Sequence, residues 1–247
     1  MKKIFKIILK YYLKIITKIV IFVHRPIIIA ISGSVNKSFV RDEIKRVLEE
    51  SGESVRANPK NFNTEIGLPL AILNISSGYN SYRRWLPVLR DAFLAIFQKD
   101  FPKYLVLELG VSQKGDMKYL LSIVRPQIVI VTEITQRYIK SFSGMDKLVG
   151  EYIYLAKNIK KNGRLILNWD NNRIRSLRKH SKVPVLYFSK KSRKSDIFIE
   201  NIKKEIDGIS VDFVYKNKEN QLKIKRFGDH HAVAATVGMM VENIFSK

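Results

Sequence analysis

Apolar residues in this chain recur in two rhythms, one helical and one strand-like, and the change falls at Pro26. Before it, residues 1–23 are apolar apart from Thr17 and a row of lysines at positions 2, 3, 6, 10, 14 and 18. The i, i+4 spacing holds Lys6, Lys10, Lys14 and Lys18 on one helical face and leaves Ile, Leu, Phe and Tyr on the rest, which predicts a basic amphipathic helix over residues 1–25. After Pro26, β-branched runs at 27–31, 104–109, 128–132, 165–168 and 183–188 alternate with helical periodicity at 40–50, 85–98, 117–123 and 146–159. Such alternation predicts a single α/β domain over 26–247, a mostly parallel sheet flanked by helices. From about Ser195 the pattern changes to short strands at 196–200, 210–215 and 221–226, with Gly208 and the polar stretch 216–220 as turns and a final helix from about His230. These predict a small antiparallel extension.

In a parallel sheet of this kind ligands sit at the carboxyl ends of the strands, where Gly33 to Ser38, Glu108, Thr132 and Asn168 to Asn171 would gather. The run IIIAISGSVNKS over 27–38 adds chemistry to that geometry. A buried strand stops at Gly33 and delivers Lys37 and Ser38 into a helix start, the layout of a loop that aims backbone N–H groups and a lysine at a polyphosphate. The full pattern G-x-x-x-x-G-K-[ST] asks for glycine before the lysine, where this chain has Asn36; the earlier glycine position holds Ala30 or Ser32. Asn tolerates a left-handed backbone, so loop closure is open to it. On these residues alone an ordinary strand-to-helix turn is the competing reading.

Composition narrows the field. The 247 residues contain no cysteine, which excludes disulfides, thiolate zinc sites and cysteine nucleophiles, and four histidines leave little for a histidine-rich metal site. A formal charge of +23 attracts anions: nucleotides, nucleic acid or acidic head groups. The lysines are scattered, however, and neither an aromatic-rich RNA-binding signature nor zinc-finger spacing accompanies them, which argues against a nucleic-acid surface. The lysine row interrupts every window of about 20 apolar residues that a spanning helix needs. No small-residue cleavage site follows it, as a secretory signal requires. Two readings of the first helix remain: a peripheral anchor through residues 1–23 on an anionic inner leaflet, or a helix packed on the domain or a second subunit.

Several separated strings line up in order with one family. IAISGSVNKS resembles IAITGSVGKT of the Mur ligases; NPKNFNTEIGLPLAIL, from Asn58, resembles their Asn-x-Asn, Gly-x-Pro segment; LVLELGVSQKGDM resembles their strand with an acidic metal ligand; and RPQIVIVTEI, NGRLILNWDNN and FGDHHAVAA continue in register. The resemblance covers Pro26 to the last residue and is nearest the MurF-like branch, which adds D-alanyl-D-alanine to UDP-N-acetylmuramoyl-tripeptide. It implies a cytoplasmic ATP-binding domain of an acid:amino-acid ligase, in which an acyl phosphate formed from a carboxylate is attacked by an amine. It also implies ATP and Mg²⁺ as cofactors and a UDP-linked cell-wall precursor as partner. Carried over position by position, Gly33, Ser34 and Asn36 would build the phosphate loop, and Lys37 would contact the β- and γ-phosphates. Ser38 and Glu108 would hold Mg²⁺, Asn168 and Asp170 would lie near the nucleotide, Asn61 and Asn63 would bind the precursor, and His230, retained from the family's Gly-x-His-Asn string, would be catalytic together with Lys37 and Glu108.

The departures cluster where that chemistry is expected. The family's Thr-Asn-Ile-Gly-x-x-His string reads Thr132-Glu133-Ile134-Thr135-Gln136-Arg137-Tyr138, so the asparagine is Glu133 and the metal-binding histidine is Tyr138. The lysine that the family carbamylates falls on Tyr152, and the asparagine after His230 is His231. A tyrosine cannot be carbamylated and is a poor magnesium ligand at neutral pH, which leaves the second metal site without its bridging ligand. The family's N-terminal UDP-binding domain and C-terminal closing domain have no counterpart in these residues. The expectation is therefore a Mur-like module impaired in catalysis or completed by a partner chain. An active reduced ligase and a non-catalytic basic scaffold, binding nucleic acid or anionic membrane, are the alternatives.

Overall fold

The run at residues 27–32 becomes an interior strand because its alternate side chains have apolar partners on both faces. In the computed structural model, which describes residues 3–79, 81–137 and 139–245, the elements follow in this order. Helix α1 (Lys3–His24) leads into β1 (Ile27–Ser32), α2 (Lys37–Glu50), β2 (Val55–Ala57), α3 (Gly67–Leu73) and α4 (Tyr82–Leu94), the last closed by a 3₁₀ turn at Ala95–Phe97. Next come β3 (Tyr104–Leu109), α5 (Asp116–Leu121), β4 (Ile128–Val131), α6 (Ile139–Phe142), α7 (Met145–Lys157), β5 (Arg164–Asn168), α8 (Asn172–Ser176) and β6 (Val185–Ser189). Strands β7 (Ile197–Glu205), β8 (Gly208–Tyr215) and β9 (Lys218–Ile224) and helix α9 (Asp229–Phe245) complete the chain.

The strands form one sheet in the order β2-β3-β1-β4-β5-β6-β7-β8-β9. It is parallel from β2 through β7 and antiparallel from β7 to β9. Ile28 and Ala30 of β1 face one core with Leu105, Leu107 and Val129, under α5 and α7. Ile29 and Ile31 face the other with Val106, Ile130 and Ile166, under α2 and α9. A strand buried on both faces has no polar alternation, which is why these runs read as continuous Ile/Val/Leu. Because β1 lies between β3 and β4, its carboxyl end is a topological switch point, where open α/β sheets bind ligands.

The expected α/β architecture holds, with corrections at its edges. Apolar periodicity places this helix from Val40; it begins at Lys37, the helix start that the loop pattern indicates. Gly208 is not a turn residue. It opens β8, where a Cβ would overlap Ile224 O across the ladder, and the turn lies just before it. The stretch 216–220 divides: Lys216 and Asn217 have φ of 51° and 62°, the paired left-handed conformations of a two-residue hairpin, while Lys218 to Asn220 belong to β9. Four short elements, β2, α3, α6 and α8, have no counterpart among the expected ones because each is too short to show a period.

Helix α1 packs on the domain. Leu9, Leu13, Ile16 and Val20 are buried against Leu70 and Leu73 of α3 and Trp85, Val88 and Ala92 of α4. At roughly 1.5–3 kcal/mol for each fully buried aliphatic side chain, this seam is a substantial part of the fold. The lysine row lies on a flank: Lys6 and Lys10 pair with Glu65, and the Lys10 and Lys14 ammoniums lie over the Tyr119 ring. One carboxylate of the domain, Glu65, thus faces two lysines of the row at the surface. No helix among the described residues is long and apolar enough to cross a membrane.

Candidate nucleotide-binding site

The loop after β1 is shaped by two residues with unusual backbones. Gly33 has φ 143°, and a Cβ there would overlap Thr132 Oγ1 and stand 3.0 Å from Glu133 N and O. Only glycine lets the loop pass this close to the end of β4. Asn36 sits at the N-cap of α2 with φ 64° and ψ 6°, so it adopts the left-handed geometry that a glycine would otherwise supply. The loop is tied to the segment after β4: Ser34 N–H donates to Glu133 O at 2.7 Å, Thr135 N–H to Ser34 Oγ at 3.0 Å, and Thr132 Oγ1–H to Val35 O at 2.7 Å.

Lys37 and Ser38 occupy the first turn of α2, whose unpaired N–H groups and dipole favour anions. Lys37 Nζ folds back to donate to Gly33 O at 2.8 Å. Burial pushes its ammonium below the usual lysine value; Glu108 opposes this and Arg137 adds to it. A partly desolvated cation at a helix N-terminus gains most from a polyphosphate.

Glu108 is the penultimate residue of β3, and two residues not anticipated from the sequence hold it in place. Asn58, itself buried, accepts from Glu108 N–H at 2.8 Å and donates to Glu108 O at 3.3 Å and to Phe62 O at 3.0 Å. Arg41, one helical turn after Lys37, brings Nη1 to 2.9 Å from both Glu108 Oε1 and Asn58 O. The contact with Glu108 is an ion pair without hydrogen-bond alignment, so buried Oε1 keeps its lone pairs unfilled. Arg41 lies one turn after Lys37, but nothing local marks it out for this role, or Asn58 from Asn61 and Asn63.

Asn63 lies beside Gly110, two residues after Glu108: its backbone O accepts from Gly110 N–H at 3.0 Å, and its side chain leaves no room for a Cβ at Gly110. Asn61 is exposed on the same loop, with φ 69°. On the other side of the phosphate loop, a cavity of about 320 Å³ is lined by Asn36, Thr132, Glu133, Asn168, Asp170 and His230 among others. Asn168 Nδ2 donates to Thr132 O at 3.0 Å and its Oδ1 accepts from Asp170 N–H at 3.0 Å. The Asp170 carboxylate accepts from Ser189 Oγ–H and from Lys190 N–H, the latter at 2.8 Å, so it closes the β6 turn as well as facing the cavity. His230 packs against Phe39 and His231, with ring centroids 4.1 and 4.4 Å away. The expected residues thus divide into three groups: the loop, Glu108 with Asn61 and Asn63, and the cavity wall of Asn168, Asp170 and His230.

The departures from the family pattern have specific surroundings. Glu133 accepts from Asn171 Nδ2 at 2.8 Å and from Asn168 Nδ2 at 3.4 Å. Tyr152 is 1% exposed, and burial pushes its phenol up to about 12 despite a hydrogen bond with Ser34. Its neighbour Glu151 accepts from Gly115 N–H and Met117 N–H, both at 2.8 Å, capping α5. Tyr138 lies outside the described residues.

The Mur ligase middle domain profile matches residues 89–241. Similar curated proteins are UDP-N-acetylmuramoyl-tripeptide–D-alanyl-D-alanine ligases. That of Buchnera aphidicola from Acyrthosiphon pisum is 28% identical over 74% of this chain and 35% of its own length. That of Rickettsia prowazekii is 24% identical over 89% of this chain and 44% of its own. The chain therefore spans less than half the length of either. The MurF ligase from Thermotoga maritima, solved in complex with ADP, superposes on 96% of the chain and 50% of its own with a TM-score of 0.78 at 16% identity. MurF from Acinetobacter baumannii does so on 96% of the chain and 47% of its own with 0.77, again at 16%. These likenesses establish the fold, and with the profile match they assign the chain to the Mur ligase family through its middle domain.

Proposed function

We propose that this domain binds ATP at the Gly33–Ser38 loop and a UDP-linked cell-wall precursor beside Glu108, and that its own ligase chemistry is impaired. The observation that carries the nucleotide half is Asn36 in the left-handed conformation, which supports a working phosphate loop despite the missing glycine. Lys37 would meet the β- and γ-phosphates, and α2 would direct its first N–H groups at them. The cavity between Asn36, Asn168 and His230 would take the rest of the nucleotide. Asn61 and Asn63 would face the precursor.

One magnesium ion fits the residues present. Buried Glu108 Oε1 has no aligned hydrogen-bond donor, although Arg41 is ion-paired with it at 2.9 Å, and Ser38 supplies a hydroxyl; Mg²⁺ is commonly held by so few protein ligands, completed by phosphate and water. When bound, Mg²⁺ neutralises charge on the transferring phosphoryl group. A second ion does not fit. The position of the family's carbamylated lysine is a buried, neutral phenol at Tyr152, which offers no carboxylate. Impairment rests on that side chain. In this reading ligation proceeds only with a closing domain from elsewhere in the polypeptide or from a partner chain.

Calorimetric titration with Mg²⁺ and a nonhydrolysable ATP analogue tests the binding half. Micromolar affinity weakened by about tenfold or more in Lys37→Ala is expected, from loss of a charge-assisted phosphate contact. Absence of binding by the unaltered chain overturns it. Release of phosphate dependent on the precursor and D-alanyl-D-alanine would overturn the impairment half alone.

A further inference from the structure

Among the described residues, the large apolar side chains exposed to solvent concentrate on two adjacent helices. Eight belong to α1, including Ile4, Ile8, Tyr11, Ile15 and Phe22, and five to α4 and its 3₁₀ turn, including Leu86, Phe93 and Phe97. On α1 these positions recur every three or four residues and lie roughly opposite the buried Leu9, Leu13, Ile16 and Val20. The helix therefore has two apolar faces: one builds the seam with α3 and α4, and the other has no counterpart in the fold. At 22 residues it presents that face along about 33 Å. Helix α4 lies alongside, with Tyr12 Oη–H donating to Leu89 O at 2.9 Å and Phe5 edge-on to Tyr82.

The charge on this layer has one sign. Helix α1 contains no Asp or Glu, and α4 contains only Asp91, which is paired with Arg90. Exposed cations border the apolar positions: Lys18, three residues after Ile15 and four before Phe22, and Arg83 and Arg84 ahead of Leu86. From this complementarity we infer that the outer face of α1, with α4 beside it, docks on an anionic lipid bilayer. The isoleucines and phenylalanines enter the boundary between head groups and acyl chains, while Lys18, Arg83 and Arg84 meet lipid phosphates. Lys6 and Lys10 share one carboxylate, Glu65, which offsets part of their charge. The inference does not depend on the nucleotide site.

Deleting α1 would uncover Trp85 and Leu70, so surface substitutions on the full chain make the cleaner experiment. The triple variant Ile8→Ser, Ile15→Ser, Phe22→Ser changes exposed side chains only. Sedimentation with phosphatidylcholine vesicles, with and without phosphatidylglycerol, should show binding that requires the anionic lipid and weakens with salt. The triple variant should bind about tenfold or more weakly with an unchanged melting temperature, and Arg83→Gln with Arg84→Gln should reduce the salt dependence. No vesicle binding by the unaltered chain, or equal binding by the triple variant, overturns the inference. So does a concentration-dependent dimer that the triple variant abolishes while vesicles bind neither protein; that result would assign the face to a second copy of the chain.

Discussion

Replacing Gly33 by alanine adds one methyl group at the point where the loop crosses the end of β4. The new Cβ would overlap Thr132 Oγ1 and stand 3.0 Å from Glu133 N and O, and two of these three atoms are backbone that cannot swing aside. At φ 143° a residue with a side chain is also in a conformation open essentially to glycine, at a cost of about 1–3 kcal/mol. Moving Thr132 breaks its 2.7 Å hydrogen bond to Val35 O, worth about 1 kcal/mol. The sum is roughly 2–4 kcal/mol, which in a domain of this size lowers the melting temperature by about 4–16 °C. Two further glycines separate these contributions. Gly115 has φ 92° with open space around it, so alanine there carries backbone strain alone, about 1 kcal/mol. Gly150 lies inside α7, exposed and with nothing within 4 Å, so alanine should stabilise by about 0.5–1 kcal/mol. Urea and thermal unfolding of the three variants should therefore rank Gly150→Ala above Gly115→Ala above Gly33→Ala. Equal stabilities, or an unaltered melting temperature for Gly33→Ala, would refute the claim that close approach shapes this loop.

Tyr152→Phe should leave the fold intact but alter its alkaline limit. The folded phenol keeps its proton up to about pH 12, whereas the unfolded one loses it near 10, so stability drains away as pH rises from 10 to 12. Phe removes about 2–3 kcal/mol of that loss, and denaturation midpoints with the same pH dependence in both proteins would contradict the assignment. Asn58→Ala leaves the buried Glu108 N–H and two backbone carbonyls without a partner and should cost about 1–3 kcal/mol. Urea midpoints shifted by less than about a fifth of that would mean Asn58 is not what holds β3 to the loop before α3.

Parts of this architecture announce themselves in sequence and parts cannot. Ile27–Ser32 and Tyr104–Leu109 are legible because burial on both faces forces unbroken apolar runs, and polar interruption marks their ends. The start of α2 is legible too, though from the loop pattern at Lys37 and Ser38 rather than from apolar periodicity. Gly33 and Lys37 carry a recognisable local pattern, so the phosphate loop is readable. Asn58 and Arg41 do not. Their roles arise from β3 arriving beside α2 some 50 residues later in the chain, a long-range coincidence that local spacing does not encode. Helix α1 is a third case. Its periodicity is plain, but a helix apolar on two opposite faces reads like one with a single wide face, and only the packing of Leu13 against the α3–α4 layer tells them apart.

The positions where this chain departs from the ligase pattern bear on whether the site is in use. Decay by drift substitutes residues one at a time and leaves buried polar groups without partners, each costing about 1–3 kcal/mol. Here the replacements are accommodated together. Glu133 is met by Asn168 and Asn171, the second of which also caps α8 through Oδ1. Tyr152 fills its buried position and shares a hydrogen bond with Ser34 of the phosphate loop. Asn36 adopts the one backbone conformation the missing glycine would have supplied. The change at Asn36 keeps the loop's left-handed turn, while the change at Tyr152 removes the bridging ligand that a second metal would need. A phosphate loop kept in shape beside an altered bridging position is what the proposed reading, nucleotide binding with impaired ligation, requires.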